Sequence, residues 1–139
     1  LKPNALSCVL RVANGAQAAL LPGDIEQPQE AALVAAAATG GLAADALRAD
    51  WLLVPHHGSK TSSSDAFLAA VQPRLAVVQA GYRNRFGHPA EPVLARYQAR
   101  GAEVVDTARC GAAWWRSTQP QQVECQRRVG PRYWHHRLP

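Results

Sequence analysis

The strongest constraint on the fold is an unbroken apolar run, Trp51-Leu52-Leu53-Val54, which stops at Pro55 and leads straight into His56-His57-Gly58. A run without polar alternation is expected for a strand covered on both faces. Two further segments read as strands, residues 74–80 (RLAVVQA) and the short 102–107 (AEVVDT). Helices are expected between them. Ser62 to Ser64 can cap one, with Asp65 in its first turn and residues 66–71 as its body. Pro92 opens another, and Gly101 closes it. Upstream, residues 27–41 (QPQEAALVAAAATGG) read as a helix with Pro28 near its start and Glu26 and Glu30 by its first turn. Residues 42–50 read as a connector with some helical character.

Hairpins are expected at both ends. Residues 7–13 and 17–21 flank Asn14-Gly15, a type I′ turn signal. Residues 111–117 and 121–129 flank a turn around Pro120. Strand and helix alternation in the middle, bounded by hairpins, predicts a layered α/β fold with a mixed sheet. The length of 139 residues fits one domain and one core. With 47% hydrophobic and 18% charged residues, the composition excludes a disordered chain. No apolar run is long enough to span a bilayer, and no basic-plus-apolar leader opens the chain. The chain starts at Leu1 and contains no Met, so it is expected to be part of a longer polypeptide.

The net charge is +5, carried largely by late arginines such as Arg83, Arg85, Arg96, Arg100, Arg109, Arg116, Arg127, Arg128, Arg132 and Arg137. Arginine grips phosphate bidentately, so a polyanionic partner is open, as is a purely solubilising role. The cysteines Cys8, Cys110 and Cys125 form no CxxC pair, which excludes zinc-ribbon and thioredoxin-like readings. Cys110 and Cys125 flank the last hairpin. A bridge and two reduced thiols are both open on composition.

Three clusters carry the candidate chemistry. Asp24 follows a strand end after Leu-Leu-Pro-Gly, and His56-His57 follow another. Functional groups gather at such ends in layered α/β folds. A carboxylate and imidazoles meeting there suit zinc, manganese or iron, and paired ions hydrolyse phosphodiesters. The alternative is a plain Gly-Asp turn and a histidine-bearing loop. Ser59, Thr61, Ser62 and Ser63 offer hydroxyls near a helix start that favours anions, and Lys60 adds charge. An over-capped helix start is the alternative. Arg83, Asn84, Arg85 and His88 share a loop from which all could reach a phosphate, unless Asn84 and Gly87 simply serve the turn. His135-His136 in the tail reads as a surface feature.

The order of these strings points to a family. Asn4, Ser7, Val9 and Leu10 come first, then Leu21, Gly23 and Asp24. Val-Pro-His-His-Gly-Ser-Lys-Thr-Ser-Ser (54–63) and Asn-Arg-Phe-Gly-His-Pro (84–89) follow. This resembles the C-terminal metallo-β-lactamase-like domain of the ComEC family, the DNA-internalisation competence channel proteins, over roughly residues 4–113.

The resemblance implies the C-terminal half of an αββα sandwich over residues 1–129, with a tail at 130–139. It implies an inner-membrane channel protein whose nuclease domain, expected in the periplasm, hydrolyses DNA with two divalent metal ions, zinc or manganese. On this reading Asp24 is the bridging aspartate and His57 the late histidine ligand. His56, Lys60 and His88 form the catalytic set, with His56 facing the phosphate. Ser59, Ser62, Ser63, Asn84 and Arg85 hold phosphate. An oxidising compartment would favour a Cys110–Cys125 disulfide.

The superfamily's His-x-His-x-Asp-His string is absent from this sequence. The expected partners are therefore DNA and the remainder of the same polypeptide, which would supply the other ligands. Alone, the chain is expected to bind metal weakly, to hydrolyse little, and to expose an apolar face through which it could dimerise. A catalytically inert DNA-binding module and a small-phosphoester hydrolase are the alternative functions.

Overall fold

The computed structural model describes residues 2–43 and 45–135. His136 and Arg137 lie outside the described residues. A five-stranded mixed sheet organises the chain, its strands in sequential order. They are β1 (Leu10–Ala13), β2 (Ala18–Leu21), β3 (Trp51–Leu53), β4 (Leu75–Val78) and β5 (Glu103–Asp106). β1 pairs antiparallel with β2, and β2 to β5 run parallel. The crossovers carry α1 (Gln27–Ala38), α2 (Asp65–Val71) and α3 (Glu91–Ala99). This is the α/β architecture with a mixed sheet and flanking helices that the alternation of segments predicts.

Sequential parallel strands joined by crossovers of one hand must place all their helices on one face. The register bears this out. Leu20, Leu52, Ala76 and Val104 lie in one row across the sheet. All four belong to or pack on the main core, with Phe67, Leu68 and Val71 of α2 and Val93 and Tyr97 of α3. Leu33 and Val34 of α1 pack against it too. The neighbouring row on the other face runs through Val12, Ala19, Trp51 and Leu75. Leu10 and Val12, at the β1 edge, are 56% and 55% exposed.

A second, two-stranded sheet, β6 (Ala113–Trp115) with β7 (Val123–Cys125), forms the last hairpin. It reaches back to the first: Ser117 accepts a bond from Asn14 at 3.0 Å, and Trp115 lines a cavity with Val12 and Ala19. Cys110 and Cys125 are joined by a disulfide, both nearly buried. Cys8 is a free thiol. Among the described residues no helix is long and apolar enough to cross a membrane.

Several local expectations need correction. The first hairpin does not turn through a two-residue type I′ loop, because only Gly15 there has positive φ. Asn14 instead uses its side-chain oxygen to accept the N–H groups of Ala16 and Gln17, closing a four-residue loop. Residues 3–6 form a 3-10 turn and the first strand starts later than expected. The last hairpin is shorter than its sequence signal. Residues 107–110 make a short helix, α4 (Thr107–Cys110), and α5 (Gln126–Val129) follows β7 directly.

Candidate functional site

The strand ends predicted to carry chemistry meet in space because β2 and β3 are parallel neighbours. β2 leads through Pro22 and Gly23 to Asp24. Gly23 has φ of 63°, and a Cβ there would stand 3.1 Å from the Ser7 Cβ. Ser7 in turn accepts the Asp24 N–H at 3.1 Å. Ile25, 2% exposed, anchors the segment in the core, so that Asp24 and Glu26 flank a buried residue. Glu26 then caps α1, in a reciprocal capping box with Gln29.

β3 leads through Val54 and Pro55 to His56 and His57. Both histidines have left-handed backbones, with φ of 49° and 56°. For residues with a Cβ this costs about 1–2 kcal/mol each, so the surroundings must hold the turn in place. The His56 N–H donates to the Gly23 carbonyl at 3.1 Å, locking the two strand ends together. Gly58, at φ of 81°, lies so close to Pro89 that a Cβ would come within 2.7 Å of the proline Cβ. The Gly58 carbonyl also accepts from Ala90 at 2.9 Å. This contact brings the loop holding His88 against the histidine turn. The His88–Pro89 bond is cis.

The turn sends the two imidazoles to different carboxylates. His57 Nε2 is 3.6 Å from Asp24 Oδ1, and both side chains are about half exposed. His57 Nδ1 lies 2.7 Å from the Gln79 carbonyl oxygen, to which only an N–H can donate. That bond leaves Nε2 of the neutral ring as the bare nitrogen, turned toward Asp24. His56 Nδ1 lies 3.4 Å from Glu26 Oε1. Thr61 donates its hydroxyl to the same oxygen at 3.0 Å, and the Asn4 amide approaches both groups at 3.4 Å.

His88 stands behind this pair, its ring centroid 6.1 Å from that of His56. Burial, and then the charges of His56 and His57, hold it below the usual histidine range. Its Nδ1 is buried without a hydrogen-bond partner among the described residues. His57, Gln79, Ala80, Gly81, Asn84, Phe86 and His88 line a cavity of about 300 Å³.

The structure thus draws together Asp24, His56, His57 and His88. It disposes otherwise of the expected phosphate cradle. The start of α2 does hold an anion, but that anion is the chain's own Glu30. Its carboxylate is fully buried and accepts the N–H groups of Ser63 at 2.5 Å and Ser64 at 2.7 Å. Ser62 has zero exposure and donates to the carbonyls of Pro55 and Ser59. Ser63 has zero exposure and bonds the Tyr97 hydroxyl at 3.0 Å. Arg96 closes the network on the carbonyls of Ser62 and Ser63, both at 3.0 Å. These serines therefore face protein, which corrects the expectation that they face a ligand.

Asn84 is committed likewise, donating to the carbonyls of Gly81 and His88 and accepting the His88 N–H. It shapes the loop and has little left for a phosphate. Ser59 is nearly buried and bonds Thr61. Lys60 is exposed, and Arg85 lies over the Phe86 ring. Neither is drawn onto the histidines.

Glu26, Asn4 and Phe86 are neighbours of the site to which the sequence reading gave no role there. The acid–apolar–acid spacing of Asp24-Ile25-Glu26 was the available signal for Glu26. The donor set fits part of a divalent ion's shell. Asp24 and His57 offer an oxygen and an oriented nitrogen, the chemistry zinc and manganese take. Among the described residues no group of three or more His, Cys, Asp or Glu side chains is placed to hold an ion.

No protein-family profile matches the chain. It is 42% identical over 109 residues to a protein named competence protein ComA of Neisseria gonorrhoeae, covering 78% of this chain and 15% of that one. It is 33% identical over 113 residues to ComE operon protein 3 of Bacillus subtilis, covering 81% and 14%. It is also 33% identical over 141 aligned positions to the uncharacterized protein YcaI of Escherichia coli, covering 96% and 17%. The chain thus spans about a sixth of the length of these relatives. The names of the first two support a competence protein.

Proposed function

From its likeness to competence proteins along four-fifths of its length, we propose that this chain is part of a metal-dependent phosphodiesterase domain in a longer competence protein, acting on DNA during uptake. The observation that carries the reading is the Asp24–His57 pair. Two groups able to ligate a metal converge at the ends of adjacent parallel strands. One has its free nitrogen selected by a backbone carbonyl. A turn with two left-handed histidines, held between the buried Pro55 and Gly58, maintains the arrangement.

A divalent ion bound at such a pair would activate water and draw charge from a phosphate oxygen. Asp24 and His57 would hold it, and the Gln79 carbonyl would fix the His57 ring. Glu26, Thr61 and Asn4 hold the His56 ring. His88, held neutral, is suited to accept a bond or a proton from a substrate group entering the cavity.

The αββα metallo-β-lactamase-like sandwich is the architecture that best accommodates this half-site, with the remaining ligands on the rest of the polypeptide. The disulfide suits an oxidising compartment and so supports a periplasmic position beside an inner-membrane channel.

The test is hydrolysis of labelled DNA by the full-length protein in zinc or manganese. Asp24→Ala and His57→Ala should each lower the rate at least about 100-fold, with unfolding midpoints unchanged. Cleavage at the wild-type rate by Asp24→Ala would refute the reading.

A further inference from the structure

The loop at 81–89 interleaves aromatic rings with arginines. Phe86 is 66% exposed, yet it lines the cavity together with His57 and His88. Its ring lies nearly parallel to that of His88, with 20° between planes and 5.8 Å between centroids. The Arg85 guanidinium stands 4.8 Å from the Phe86 centroid. In the same loop, Tyr82 is 41% exposed with the Arg83 guanidinium 5.2 Å from its centroid.

The fold does not account for this ring. Three bonds from the Asn84 side chain and the Gly58–Ala90 bond hold the loop's shape. Phe86 adds nothing to the buried core, and its exposure carries a hydration cost.

A flat group with a π-face would remove that ring from water. Flanking guanidiniums favour a group that also carries negative charge. An unpaired nucleobase attached to a phosphodiester has both properties, and bases inside a duplex are already stacked.

We propose that Phe86 is a base-stacking residue that makes the site prefer single-stranded over duplex DNA. The ring receives the face of an unpaired base, and the adjoining phosphate lies toward His57 and His88. The Arg85 guanidinium, which lies over the ring, gives up that face to the base and stays at its edge as positive charge. The placement of the phosphate rests on the phosphodiesterase reading above, whereas stacking itself requires neither metal nor hydrolysis.

Equilibrium binding separates the two. Anisotropy of a labelled oligothymidylate and of a labelled blunt duplex is measured on the intact protein in a chelator. Phe86→Ala should weaken oligothymidylate binding roughly 5- to 100-fold. Duplex binding and the salt dependence should stay as in wild type, since no phosphate contact is removed. Phe86→Trp should restore single-strand affinity, and neither substitution should move the thermal midpoint. Unchanged oligothymidylate binding by Phe86→Ala would overturn the proposal, as would equal losses on single strand and duplex. So would a wild-type protein that binds no oligothymidylate. A failure here with hydrolysis still dependent on Asp24 removes the stacking role alone. Stacking intact with hydrolysis independent of Asp24 removes the metal reading alone.

Discussion

Glu30 and Ser63, thirty-three positions apart, are joined by a buried bond of 2.5 Å from the serine N–H to a carboxylate oxygen. Ser64 donates to the other oxygen of the same carboxylate. One fully buried acid thus ties α1 to the loop that carries the histidines. Glu30→Ala would leave two donors without partners and remove two charge-assisted bonds. It should destabilise by about 2–4 kcal/mol, and Glu30→Gln by roughly half as much. Urea unfolding midpoints at constant slope are the measurement.

Gly58 and Gly15 both have positive φ, 81° and 87°, but only Gly58 is crowded. Gly15→Ala meets nothing within 4 Å and should cost about 1 kcal/mol, from backbone strain alone. Gly58→Ala adds a clash with Pro89 and should cost at least about 3 kcal/mol. It should also separate His88 from the histidine turn, visible as shifts of the imidazole proton resonances. Equal costs for the two substitutions would contradict the close approach.

The Cys110–Cys125 disulfide closes a loop with a sequence separation of 15. Its removal should cost about 3 kcal/mol by loop entropy. Thiol titration of the unfolded oxidised protein should find one reactive group, Cys8, and three after reduction. A count of three before reduction would show that the bridge does not form.

His88 is held below the ordinary histidine range, first by burial and then by His56 and His57. A lowered folded value means that the unfolded chain takes up the proton first as pH falls. Its contribution to stability is therefore complete above about pH 6.5 and is lost as pH drops through the folded value. His88→Gln should flatten the pH dependence of stability below that point, and in wild type the His88 C–H resonances should titrate later than those of a free imidazole on acidification. A His88 midpoint above the free-imidazole value would contradict the assignment.

Legibility varied with the range of the interactions. The alternation of β2 to β5 with α1 to α3 could be read because β2, β3 and β4 are apolar runs bordered by Pro or a charged residue, and β5 is a Val-Val pair between Glu103 and Asp106. Pro28 and Pro92 sit in the first turns of their helices. Asp24 and the two histidines could be placed at strand ends for the same reason. The fates of Ser62, Ser63 and Asn84 could not be read. A serine near a helix start looks the same in sequence whether its hydroxyl meets solvent, a ligand or Tyr97. The hairpin loop was misread for a related reason: Asn14 favours a left-handed conformation in one turn and side-chain capping in another, and its neighbours selected the second.

The sequence by itself determined the layered α/β order, the strand ends that carry Asp24, His56 and His57, and the loop that carries His88. Apolar runs, prolines and glycines act on their immediate neighbours, so their effect is written locally. Only the tertiary structure decided which carboxylate each histidine meets, and that Glu30 fills the anion site at the start of α2. It also decided that Phe86 stays in solvent beside His88. The carboxylate contacts depend on groups brought within 4 Å from distant parts of the chain, where a polar group takes whichever partner the packing supplies.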